Sequence, residues 1–196
     1  MPSNFAELTR AVRARIDGDH RYGHTLRVAR FAVRLAQAHG VDPDRARLAA
    51  MLHDIARLYG IPRLLAECAA RDLEIDAFEA RNPLVLHARL GAEIARAEFG
   101  VDDSGVLSAI ARHTVAAADM SALDAVVYLA DGLEPGRRFA DRAGYAELAM
   151  RDLEGGMRAV LASTVAYLGQ RNLEISPQTL AALATYESRQ RRPPSA

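Results

Sequence analysis

Apolar positions along the chain recur every three or four residues, and nowhere do they alternate in the Val/Ile/Thr-rich runs that mark strands. Helix punctuation separates the periodic stretches. Asn4 followed by Glu7 predicts an opening cap and a first helix over about 4–16. Gly18-Asp19 starts a second helix that runs to His39 and stops at Gly40. Asp42-Pro43 opens a third, which carries Leu48, Met51, Leu52 and Ile55 at helical spacing. Pro62 opens a short fourth. Asn82-Pro83 opens a fifth, with Leu86, Leu90 and Ile94 on one face and its end at Gly100. Asp102 or Asp103 caps a sixth through His113. Ser121 and Asp124 cap a seventh that ends near Leu133, before Pro135. Further helices are predicted over about 142–154, 156–170 and 177–189, the last opened by Ser176-Pro177. The expected fold class is all-α, an irregular helical bundle forming a single domain over 1–190, with a frayed tail over 191–196.

Composition narrows the chemistry. A chain of 196 residues, half of them apolar, is long enough for one domain with a substantial core. Its 25 basic and 25 acidic residues cancel, which argues against a nucleic-acid polymer or a membrane surface as partner. Every basic residue is Arg, so Lys nucleophiles, Schiff bases and the P-loop are excluded. Cys68 is the single cysteine, which excludes disulfide frameworks, Cys-rich zinc sites and iron–sulfur clusters; its Leu/Ala-rich helix makes it a small buried hydrophobe. The absence of Trp and an aromatic content of 6% argue against a base-stacking surface. The first residues lack the apolar stretch of a signal peptide, and the longest uncharged run, Ala159 to Gln170, is too short to span a bilayer. A soluble cytoplasmic protein is expected. Nothing in the pattern bears on oligomeric state.

The histidines and two acids carry the candidate chemistry. His53 is followed directly by Asp54 in LAAMLHDIA, a segment expected to be helical throughout, and Asp131 sits in the equally apolar AVVYLADGLEP. A carboxylate in such surroundings is costly unless it is paired or holds a metal. His24, His87 and His113 also fall in or at the ends of predicted helices. Imidazole with carboxylate suits Fe, Mn, Zn or Ni. Neighbouring His53 and Asp54 point about 100° apart on a helix, yet both can reach one cation, and a carboxylate can bridge two. Singly, such residues are more often core pairs or caps. His39 fits a helix C-terminus, where its charge is favourable, and His20 a partly exposed first turn, although His20 and His24 stand at i,i+4 spacing. Tyr22 beside His24 fits core packing better than a base pocket. Leu161, Val165, Leu168 and Leu180 fit packing, with no chemistry in the C-terminal helices.

The ordered set His24, His53-Asp54, His87, His113, Asp131 resembles the H…HD…H…H…D pattern of the HD-domain metal-dependent phosphohydrolases. RYGHTLRVA, LAAMLHDIAR, HARLGAEIA, AIARHT and MSALDAVVYLADGLEPGRRF together are similar to one branch, the bacterial symmetrical bis(5′-nucleosyl)-tetraphosphatases, over most of the chain from Arg21 to Ile175. That resemblance implies hydrolysis of diadenosine tetraphosphate into two ADP, with a metal-binding core over about 20–140 and packing helices over about 141–189. It implies two divalent or trivalent metal ions, iron first, with manganese or another ion as the alternative. His24, His53, Asp54 and Asp131 would hold one ion and His87 and His113 the second, with Asp54 bridging. His53, Asp54, Arg57 and Arg137 are the catalytic candidates. Arg21, Arg57, Thr114, Glu134 and Arg137 are the substrate-binding ones, with Glu134 orienting one of the arginines. Two departures stand out. Arg57 replaces the Lys usual after HD. HTVAAADM replaces HTTGR, so that Ala116 and Ala117 stand for Gly and Arg. Three other readings stay open: an HD phosphohydrolase for another nucleotide, a catalytically weak nucleotide-binding regulator, and a structural helical domain.

Overall fold

The computed structural model describes residues 5–16 and 18–190; the Asn4 cap and the 191–196 tail lie outside the described residues. Among those residues there are eleven α-helices and no strand. They are α1 (Phe5–Arg15), α2 (Asp19–Ala38), α3 (Pro43–Leu52), α4 (Ile61–Ala69), α5 (Ala77–Arg81), α6 (Leu86–Phe99), α7 (Ser104–Arg112), α8 (Ala122–Leu133), α9 (Arg142–Arg151), α10 (Leu153–Gln170) and α11 (Pro177–Gln190), with a 3-10 turn over Pro83–Val85 before α6.

The expected caps operate. The Asp42 carboxylate accepts from the Asp44 and Arg45 N–H groups, and that of Asp103 from Gly105 and Val106. Ser121 and Asp124 form a reciprocal capping box. Gly100 ends α6 in the left-handed region at φ 64°, where lacking Cβ removes the penalty. His39 closes α2 and donates from Nε2 to the Ala149 carbonyl at 2.6 Å, tying α2 to α9.

Helix α8 is the axis. Leu123 through Ala130 are all buried, so the helix is covered on every side, as an element surrounded by others is. It packs against α2, α3, α7, α9 and α10, and one contiguous core joins these helices to α1, α4, α6 and α11. Cys68 is fully buried in α4, and Tyr22 packs against the core under the Arg13 guanidinium. No helix among the described residues is long and apolar enough to cross a membrane.

Three expectations are corrected. The third helix does not continue through Ile55: it ends at Leu52, and residues 53–59 tighten into turns closed by i→i+3 bonds, Ile55 to Leu52, Arg57 to Asp54 and Tyr59 to Ala56. The fifth helix is preceded by α5, whose capping box of Asp76 and Glu79 was present in the sequence but followed by too few residues to show a period. Leu180 is 46% exposed, because it lies on the outer face of α11.

The turn after α7 explains the altered HTVAAADM segment. The Ala116 N–H bonds to the Arg112 carbonyl, and Ala116 closes the turn at φ 60° with no exposed surface. This is the left-handed position that glycine ordinarily fills at a helix end. Ala there carries a strain of about 1–2 kcal/mol, which its buried methyl offsets by about 0.8 kcal/mol. Ala116→Gly is therefore expected to leave stability nearly unchanged, whereas β-branched Ala116→Val should lose about 2 kcal/mol or more, read as a lower urea midpoint at unchanged slope.

Candidate metal centre

Five helix ends and one inter-helix turn meet at one place. His24 stands in the second turn of α2, His53 caps the end of α3, Asp54 follows in the tight turn, His87 opens α6, His113 caps the end of α7 and Asp131 lies in the last turn of α8. All four imidazoles and the Asp54 carboxylate are buried.

Each imidazole is tied by Nδ1. His53 donates from Nδ1 to the Ala50 carbonyl at 2.7 Å, His87 to Leu84 at 2.6 Å and His113 to Ile110 at 2.7 Å, in each case three residues back. His24 donates to the Glu134 carboxylate at 3.1 Å. A carbonyl or carboxylate can only accept, so Nδ1 carries a proton in all four rings, and Nε2 of each neutral ring is the atom left to present a lone pair. The four Nε2 atoms face the two acids. His24 Nε2 lies 3.0 Å from Asp131 Oδ1 and 3.8 Å from Asp54 Oδ2, and His53 Nε2 lies 3.6 Å from Asp54 Oδ2 and 3.8 Å from Asp131 Oδ1. On the other side, His87 Nε2 lies 3.3 Å and His113 Nε2 3.7 Å from Asp54 Oδ1, and the two ring nitrogens are 3.2 Å apart. Asp54 thus turns one oxygen toward each pair of imidazoles.

These residues fit a cation. The Nε2 atoms of His24 and His53 are buried with no hydrogen-bond donor to meet them. Two sets, His24 with His53 and Asp131, and His53 with Asp54 and His113, bring donor atoms close enough to share an ion. Electrostatics prepares them for it. Burial holds His53 neutral, its pKa lowered to about 4. Burial alone would raise the Asp54 and Asp131 carboxyls, yet both lie well below the usual carboxylate range, because the surrounding imidazoles and, at Asp131, the Arg137 guanidinium outweigh it.

A cleft of about 370 Å³ opens over this cluster. Arg21, Arg57, Thr114 and Arg137 line it, as do Tyr128 and, from α10, Val160 and Thr164. Arg21 donates to Asp54 Oδ2 at 2.9 Å, and Arg137 donates to the Asp131 carboxylate and to its backbone carbonyl. The Thr114 hydroxyl lies 3.3 Å from His87 Nε2 and 3.2 Å from His113 Nε2. The Arg57 guanidinium makes no hydrogen bond or ion pair among the described residues and reaches the cleft unpaired.

Glu134 is a correction. It does not orient a cleft arginine and does not line the cleft. Buried at 1% exposure, it accepts from Arg27 Nε at 2.6 Å and Nη2 at 3.1 Å, from the Gly136 N–H, and from His24. Burial opposes its charge, but these donors bring its pKa down to about 2. It therefore stands behind His24 and fixes the ring. Arg27 was missed, although it lies at i+3 from His24 on the same helix face. Tyr128 was missed too, at i−3 from Asp131; burial raises its pKa to about 12. The α10 wall shows that the C-terminal helices do shape the site. His20, by contrast, is exposed and stands apart.

Comparison with known proteins settles the kinship. The HD domain family pattern matches residues 21–136. The chain belongs to the HD-domain family. Within it, the chain is 36% identical to the symmetrical bis(5′-nucleosyl)-tetraphosphatase of Halalkalibacterium halodurans, over 83% of this chain and 87% of that one. It is 33% identical to the Bacillus subtilis protein of the same name, over 82% and 86%. A crystal structure described as a predicted HD superfamily hydrolase involved in NAD metabolism, from Clostridium acetobutylicum, superposes with a TM-score of 0.90 at 30% identity, covering 95% of this chain and 98% of that one. The protein is a member of the tetraphosphatase branch of HD-domain metal-dependent phosphohydrolases.

Truncating Glu134→Ala is expected to weaken metal affinity about 10- to 100-fold by freeing the His24 ring, with the fold retained. Competition with a chelator of known affinity measures this, and Glu134→Gln, which keeps an acceptor for His24, should recover part of the loss.

Proposed function

We propose that this protein hydrolyses diadenosine tetraphosphate symmetrically into two ADP. The observation that carries the reading is the cage of four Nε2 lone pairs and two carboxylates under a cleft bearing three arginines, in a chain one third identical to proteins of that name. On this reading it is a nucleotide-binding enzyme of the cytoplasm.

The cage takes two ions. His24, His53, Asp54 and Asp131 would hold one, and His87, His113 and Asp54 would hold the other. The two-sided presentation of Asp54 supports this division, since each oxygen faces its own pair of imidazoles. Iron is the assigned metal, following the family resemblance, and the same donor set accepts manganese. When bound, the ions supply Lewis acidity toward a phosphoryl oxygen and toward the attacking water.

The chain's own residues do the rest. The substrate is a polyphosphate crowded with negative charge, and Arg21, Arg57 and Arg137 surround the cleft with three permanent cations that grip phosphate oxygens, in bidentate fashion where the fork allows. Arg57 keeps the charge of the usual Lys, and its unpaired guanidinium is available for phosphate without first releasing a carboxylate. The Thr114 hydroxyl, between His87 and His113, adds a neutral donor at the cleft floor. Buried Tyr128 keeps its proton at neutral pH and cannot add a negative charge beside phosphate. Ala117 packs half-buried against the core and lies outside the cleft lining, so the arginines named above supply the positive charge.

The reading as a regulator without catalysis is disfavoured by the complete cage, and the structural-domain reading by the convergence of all six groups. Product analysis tests the proposal. Metal-loaded protein should turn diadenosine tetraphosphate into ADP alone, whereas AMP plus ATP, or no turnover, overturns it. Asp54→Ala should abolish hydrolysis and lower metal content together; persistent activity in that variant would contradict the assigned cage.

A further inference from the structure

Beside the metal cleft lies a second concavity of about 700 Å³, between the chain following α8 and the outer half of α10. The two share Gly132, Val160 and Thr164 as a common wall. The cleft and this annex therefore adjoin with little between them.

The annex is where an aromatic-poor chain exposes its rings. Of five Phe and six Tyr, three are strongly exposed among the described residues. Two of these three, Phe139 at 46% and Tyr167 at 52%, line the annex. Leaving such rings in water forgoes burial that would stabilise the fold. Tyr145 lies beside Phe139 with ring centroids 6.3 Å apart and planes inclined by 33°. The Arg171 guanidinium stands 4.7 Å over one face of the Tyr167 ring, a cation–π contact that backs the ring from that side. Gln170 adds an amide able both to donate and to accept, which is what reading the edge of a heterocycle requires. Flat apolar faces, an amide and a guanidinium, adjoining a cleft that binds phosphates, match a nucleobase.

We propose that the annex seats a purine base of the nucleotide whose phosphates occupy the metal cleft, with Phe139 and Tyr167 as its stacking surfaces. This deepens the reading of the cleft as a nucleotide polyphosphate site and rests on it. Selectivity for a dinucleotide over inorganic polyphosphate then resides in side chains of the 135–141 segment and α10, outside the metal cage.

Calorimetric titration of metal-loaded protein with ADP, and with inorganic pyrophosphate as a probe lacking the base, tests the proposal. The unsubstituted protein should bind ADP more tightly than pyrophosphate. Phe139→Ala and Tyr167→Ala should each weaken ADP about 5- to 150-fold, the range for losing one base–aromatic stack, and leave pyrophosphate affinity and metal content unchanged. Phe139→Tyr should restore ADP binding. Both rings are half-exposed, so the truncations spare the core, and far-ultraviolet circular dichroism verifies the fold. ADP binding no tighter than pyrophosphate, ADP binding unaltered in both variants, or equal weakening of the two ligands overturns the proposal. A failure of the hydrolytic reading shows elsewhere, as absence of ADP from diadenosine tetraphosphate with the unsubstituted protein.

Discussion

The site depends on the bond each histidine makes with Nδ1. His53 and His113 end their helices, where the last carbonyls have no intrahelical donor. Each spends its Nδ1–H on a carbonyl three residues back, and His87 does the same on the 3-10 turn. One bond thereby orients the ring and leaves Nε2 as a lone pair pointing forward. His24 reaches the same state by another route, through the buried Glu134 carboxylate and Arg27. Four Nε2 atoms and two carboxylates then converge at the floor of the cleft. Such a gathering is unfavourable without a positive charge. The arginines that touch Asp54 and Asp131 from the cleft supply part of that charge, and a cation completes it.

The fold is arranged around this convergence. An axial helix buried on all sides fixes α2, α3 and α7 against it, so that their ends meet near Asp131. The turn after α7 bears Thr114 and is held by Ala116 in the left-handed region and by Thr179 of α11, whose hydroxyl donates to the Val115 carbonyl at 2.8 Å. The tight turn after α3 matters for the same reason. There the i→i+3 bonds hold Asp54 directly after His53, with Asp54 Oδ2 3.6 Å from His53 Nε2.

Much of this was legible in the chain. Caps at Asp42, Asp103 and Ser121 mark helix starts because their side chains act on N–H groups two or three residues away, a local interaction. Polar groups in apolar segments hinted at a cation, but the six candidate ligands were recognisable only as an ordered set that resembles the HD pattern. What could not be read depends on long-range packing. Glu134 lies three residues from Arg137, yet its guanidinium partner is Arg27, 107 residues away, brought to it by the packing of α2 on α8. The end of α3 at Leu52 is invisible in an apolar run, since Ile55 keeps the helical period while leaving the helix. The annex escaped for a different reason. An aromatic content of 6% averages over the chain, whereas folding gathers Phe139, Tyr145 and Tyr167 from a loop and two helices onto one surface.

Anomalous diffraction at the iron edge, on crystals of protein loaded with iron, addresses the central claim most directly. The account predicts two peaks, one on each side of the Asp54 carboxylate, the first among His24, His53 and Asp131 and the second between His87 and His113. A single peak, or peaks remote from Asp54, would contradict it.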